Sequence, residues 1–180
     1  MKTLITIDLD YWTNCYKRIN RDGIDLLKEI KKASGKCYSI WYHHHILDLI
    51  PAKTGRVINI DFHNDIVGED LDPDEGDDTL NEGTWGNFLP PSVERFEWYY
   101  PNHKKCVTDG GGLCVGTDGL VSTEYPVEYK QKQKWQSMDF SSATTFVLCI
   151  SPQWAFEHSY SDYMDALNIK ATERDRVVKF

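Results

Sequence analysis

Asp61, His63 and Asp65 fall within VINIDFHNDIVG (57–68), and Asp8 and Asp10 close TLITIDLD (3–10). In an extended chain residues two apart project to the same side, so each set lines up as its strand ends. A third apolar run, SIWYHHHI (39–46), carries His43, His44 and His45 near its end. Four carboxylates and two imidazoles gathered in one place are costly to bury unpaired, and they imply a cation. The donors are mostly hard oxygens with no thiolate, which suits Mn²⁺ better than a structural Zn²⁺. Six side chains also exceed one ion's usual share once water is counted. Two ions roughly 3.5–4 Å apart, sharing carboxylates, account for the number.

The elements that must position these residues are legible as short apolar runs rich in β-branched and aromatic side chains, at 3–10, 36–42, 56–61, 95–101 and 144–151. Continuous runs of this kind fit strands buried on both faces of a parallel sheet. Between the first two, DGIDLLKEIKKASGK (22–36) carries Ile24, Leu27 and Ile30 at helical spacing, with Gly35 as the stop. Further short helices are predicted in HHHILDLI (43–50), LNEGTWGNFL (80–89) and SDYMDALNI (161–169). The alternation predicts a three-layer α/β/α fold with a mainly parallel sheet. Asp-Gly turn signals in 102–143 add a short antiparallel excursion around 105–135. In such sheets ligands bind at the carboxyl ends of strands, where all three sets of candidate ligands stand.

The chain has 180 residues, enough for a single domain over 1–180 with one sizeable core. A net charge of −8 argues against a general nucleic-acid binder and suits a cationic substrate. MKTLITIDLD (1–10) meets aspartates too early for a signal peptide or a membrane span. Five cysteines without a CxxC pair read as reduced thiols of a cytoplasmic protein, three of them within apolar runs as small core residues.

The residues together resemble a family. DFHNDI (61–66) is similar to the DxHxD signature of the arginase-like ureohydrolases, whose fold is shared with deacetylase-like enzymes, and TIDLDYW (6–12) resembles their second metal motif, SxDxD. In ordinary arginases the DxD motif follows DxHxD, whereas here it comes first, so the order looks circularly permuted. WYHHHILDLI, INIDFHNDI, LNEGTWGNFL and FEWYYP resemble a divergent branch containing the peptide arginases, which convert arginine to ornithine in ribosomally made precursor peptides. The likeness covers residues 3–101 well and 102–180 thinly, apart from FVLCISPQW (146–154).

The resemblance implies two Mn²⁺ per chain, with Asp8 and Asp61 bridging, Asp10 and His63 on one ion, and His43 and Asp65 on the other. His43 is the preferred member of its triplet, and His45 is the second choice and a candidate catalytic imidazole. A guanidinium is a poor electrophile. Two metals supply the strong nucleophile that its hydrolysis to urea and an amine requires. Asp65 would carry the proton to the leaving nitrogen. Glu82 and Glu157 are candidates to hold the guanidinium, with Trp85 a candidate wall of the substrate channel. Free-arginine arginases have Asn two residues beyond DxHxD to read the α-carboxylate, where this chain has Val67. That change is compatible with a peptide-borne arginine. Thr13 and Asn14 replace the usual DP after DxD. Many ureohydrolase-like proteins associate, so a homo-oligomer is compatible with the resemblance. The alternatives are hydrolysis of a free guanidino compound or an amide, and a metal-binding partner module without turnover.

Other motifs give way on inspection. An EF-hand counted from Asp70 has Glu75 where glycine is required and Asn81 in place of the closing Glu. The acidic stretch 68–78 reads as a solvated loop. GGGLCVG (110–116) lacks the residues of a phosphate loop, and the neighbours His103 and Cys106 do not establish a nucleophile pair.

Overall fold

The computed structural model describes residues 2–13, 21–61, 65, 85–100, 127–131, 140–152, 157–170, 172 and 176–180. Among the described residues, seven strands form one sheet: β1 (Lys2–Asp8), β2 (Lys36–Ile40), β3 (Thr54–Ile60), β4 (Arg95–Tyr100), β5 (Val127–Gln131), β6 (Ala143–Cys149) and β7 (Val177–Lys179), in the order β5-β4-β3-β1-β6-β2-β7. All neighbours pair in parallel except β2 and the short edge strand β7. The chain is therefore α/β with a mainly parallel sheet. The antiparallel excursion predicted around 105–135 is corrected in its one described part. There, β5 runs parallel to β4, and the antiparallel pair lies at β7, which the sequence reading did not anticipate.

The helices among the described residues are α1 (Asp10–Thr13), α2 (Arg21–Ala33) and α3 (Glu157–Leu167), with two 3-10 helices at His43–Leu49 and Trp85–Phe88. Among the described residues, no helix is long and apolar enough to cross a membrane. The apolar stripe of α2 buries Leu26, Leu27 and Ile30 against Ile5 and Ile7 of β1, Phe146 and Leu148 of β6, and Tyr163 and Leu167 of α3. The Lys31 ammonium donates to the Leu167 carbonyl at 2.9 Å, satisfying the last turn of α3 and tying it to α2. The opposite face packs Leu4, Val57, Phe96, Trp98 and Val147 under Ile46 and Trp85 of the two 3-10 helices. Among the described residues, α2 and α3 cover the first face while the second carries 3-10 helices and connections.

Strand alternation decides which face carries the chemistry. Ile5 and Ile7 face α2, so Thr6 and Asp8 face the 3-10 side. On β3, Ile58 and Ile60 face α2, leaving Asn59 and Asp61 on the same side as Val57. The register pairs Ile7 with Ile60, so one step further Asp8 and Asp61 come side by side. The chain leaves β1 toward β2 on one side, while β3 and β4 build outward on the other. The connections thus diverge at the carboxyl ends of β1 and β3, where open parallel sheets form a binding crevice.

Candidate metal centre

Asp8 ends β1, Asp10 opens α1, Asp61 follows β3, and His43 opens the 3-10 helix after β2. All four are buried, as is Asp65. The His43 Nδ1 faces Asp65 Oδ2 at 2.8 Å, Asp61 Oδ2 at 3.1 Å and Asp8 Oδ2 at 3.4 Å. None of these contacts has hydrogen-bond geometry. The other ring nitrogen, Nε2, lies 2.8 Å from the Thr6 hydroxyl. With Nε2 donating to Thr6, Nδ1 presents a lone pair into a ring of carboxylate oxygens. That arrangement is repulsive unless a proton or a metal ion stands between them.

The ligand atoms fall into overlapping groups, each with its members within 4.8 Å of one another: His43, Asp61 and Asp65; Asp8, Asp10 and Asp61; and Asp8, His43 and Cys149. Asp61 belongs to the first two, so one carboxylate stands between two adjacent sets of donors. These buried groups are able to hold a metal ion.

Supporting bonds fix the ligands. Trp85 Nε1 donates to Asp65 Oδ2 at 2.6 Å, and the Gly86 amide donates to the Asp65 carbonyl at 2.8 Å. Asp65 itself holds a left-handed backbone, φ 55°. Aspartate visits that region more readily than most residues, because its short side chain can hydrogen-bond locally. Asn59 Nδ2 reaches both Asp61 Oδ2 and Asp65 Oδ2 at 3.4 Å. Trp98 Nε1 donates to the Asp61 carbonyl at 3.1 Å. The Asp10 amide donates to Asp8 Oδ1 at 3.0 Å, and the Ser151 hydroxyl donates to Asp8 Oδ2.

The crowding of charge shows in the protonation equilibria. For His43, burial alone favours the neutral ring, but Asp65, Asp61 and Asp8 outweigh it and hold the pKa well above 6.5. Burial, with the charges of Asp65 and Asp8, pushes Asp61 up to about 8 against the pull of His43. Burial would also raise Asp8, yet His43, Ser151 and the Asp10 amide hold it below its usual value. Without metal, a proton on His43 takes the place that a cation would fill.

Of the predicted site residues, Asp8, Asp10, His43, Asp61 and Asp65 converge. Trp85 is fully buried, with its ring centroid 4.7 Å from that of His43 and its N–H on Asp65, so it braces the cluster. His45 belongs to none of the three donor groups; its ring lies 4.3 Å from that of His44 and 5.9 Å from that of Tyr42. Burial, followed by the charges of His44 and Arg176, holds His45 below its usual pKa. His63, Glu82, Val67 and the acidic stretch 68–78 lie outside the described residues, as does the side chain of Glu157. Thr6, Asn59, Trp98, Cys149 and Ser151 are the contributors that sequence reasoning missed. Their shared signal is strand parity with Asp8 or Asp61, which is usable only once the strand order is known.

Comparison with family models, with curated proteins and with solved structures finds no match. The functional reading therefore rests on the residues themselves.

Proposed function

We propose that the chain is an arginase-like, dinuclear manganese hydrolase that converts a guanidinium to urea and an amine, acting on arginine within a ribosomally made precursor peptide. The observation that carries this reading is the pair of donor groups sharing Asp61, with the His43 Nδ1 aimed into them. Asp61, His43 and Asp65 would hold one ion and Asp8, Asp10 and Asp61 the other, with His63 the remaining ligand that the family resemblance supplies. When bound, two such ions supply a strong nucleophile near neutral pH by lowering the pKa of water.

The remaining work falls to the chain. Thr6 fixes the His43 tautomer, and Trp85 and Asn59 hold Asp65 in place. The Asp65 carboxylate takes the proton released as water adds to the guanidinium carbon and passes it to the leaving nitrogen, which departs as the ornithine amine while the carbon leaves as urea. The net charge of −8 favours the approach of a cationic substrate. Val67, in place of the asparagine that reads a free α-carboxylate, accords with an arginine whose carboxyl is tied up in a peptide bond.

The test is to incubate the manganese-loaded protein with arginine-containing peptides and with free arginine, following urea and the arginine-to-ornithine mass change. Urea from peptides but not from free arginine is the expected result. Urea from free arginine alone would move the assignment to a small-molecule ureohydrolase. No turnover of any guanidino compound or amide by a metal-loaded protein would leave a metal-binding partner module.

A further inference from the structure

Cys149 is the sulfur that the fold brings to the carboxylate cluster. It ends β6, opposite Asp8 in the parallel register, with its side chain on the 3-10 face beside Val147. It is 0% exposed. Its Sγ, one Asp8 oxygen and one His43 ring nitrogen lie within 4.8 Å of one another. Ser151 links the thiol to the carboxylate, with its hydroxyl 3.2 Å from Sγ and donating to Asp8 Oδ2. Ser151 does so from a left-handed backbone, φ 44°, a conformation that serine adopts only when its surroundings impose it. The thiol also donates to the Trp41 carbonyl, at 3.9 Å. Cys37, the other described cysteine, lies on the α2 face, away from the cluster.

We propose that Cys149 is a metal ligand alongside Asp8 and His43, so that the two ion positions differ in chemistry. The inference rests on the metal centre proposed above. The position served by Asp8, Asp10 and Asp61 is all oxygen and suits a hard ion such as Mn²⁺. The position served by His43 with Asp61 and Asp65 gains Cys149 beside Asp8, so it offers nitrogen, oxygen and sulfur and suits Zn²⁺ or Co²⁺. On binding, the sulfur–metal bond forms as the thiol proton is released to solvent. Thr6 on His43 and Ser151 on Asp8 and Cys149 would hold all three donors. Mn²⁺ can occupy both positions, and the thiolate biases the second toward the softer ion.

The test uses the full chain titrated with Co²⁺ and followed by absorption. The expected result is a near-ultraviolet thiolate-to-cobalt charge-transfer band in the natural protein, lost in Cys149→Ser while the visible bands of bound cobalt persist. Zn²⁺ should also displace Mn²⁺ from that position at least tenfold less well in the variant. X-ray absorption of the zinc-loaded natural protein, which depends on no variant, should show one sulfur at ~2.3 Å. Bound cobalt without the charge-transfer band, a band unchanged in Cys149→Ser, or zinc without a sulfur neighbour would each overturn the proposal while leaving the metal centre intact. Cobalt binding indifferent to Asp61→Asn, or no binding at all, would remove the centre itself and Cys149 with it.

Discussion

At the scale of single residues, the candidate ligands depend on the neighbours that hold them. Thr6 holds the His43 ring through Nε2, and supporting bonds to metal-ligating histidines typically carry 10–100-fold in affinity. Thr6→Val keeps the shape and removes the partner, so manganese affinity measured by calorimetry should fall by about that factor, ~10–100-fold. An unchanged affinity would show that packing alone orients the ring. The titrations give a second expectation for the metal-free protein. Asp61 is raised from 3.8 to about 8 and His43 is raised well above 6.5, so both bind more protons folded than unfolded. Stability from a raised group is present below its unfolded pKa and is lost as pH rises toward its folded one. Asp8 is lowered and acts oppositely, but only as pH falls toward 4 and below. Chelated protein should therefore unfold at lower denaturant at pH 8 than at pH 5, and metal should bind more tightly as pH rises. Greater stability of the chelated protein at pH 8 would contradict the protonation states assigned here.

At the scale of elements, the donors were legible where local spacing suffices and not where topology decides. Asp8, Asp10, Asp61 and Asp65 stand two or four apart around the ends of apolar runs, where alternation and the carboxyl-end crevice of parallel sheets predict that they gather. Cys149 and Ser151 reach the site because β6, late in sequence, inserts between β1 and β2, which no local pattern reveals. Glu97 interrupts an apolar run, yet it is buried by a bidentate bond with Arg56 at 2.7 and 2.8 Å, and Arg95 lies 3.1 Å away. That pairing also needs the register of β3 against β4. The three-residue β7 is too short to carry a periodic signal, and the aromatic type of Trp85 does not by itself distinguish a lining from a support. Between α1 and α2 the fold leaves no slack. A Cβ on Gly23 would stand 2.8 Å from Trp12 Cε2, and Trp12 is itself stacked on Tyr163 with centroids 5.6 Å apart. Overpacking of this kind costs ~1–3 kcal/mol, against a helix-propensity gain of up to about 1 kcal/mol. Gly23→Ala should thus lower the melting temperature, by roughly 2–8 °C for a chain of this size. Trp12 follows Asp10 by two residues on α1, so metal affinity should fall as well. A higher melting temperature with unchanged affinity would show that α1 yields freely and does not set the position of Asp10.

At the scale of the whole molecule, an acidic chain buries, among its described residues, four aspartates and one histidine at the divergence point of a parallel sheet, and such a cluster is stable chiefly in company with cations. Strand order, burial and donor geometry bring these carboxylates and His43 together, and the proposed pair of ion positions shares Asp61. The most direct measurement is the number of manganese ions bound per chain, for the natural protein and for Asp61→Asn. Two equivalents in the natural protein, falling toward zero in the variant, is the expected result. A single equivalent, or binding that ignores Asp61, would contradict a dinuclear centre built on that shared carboxylate.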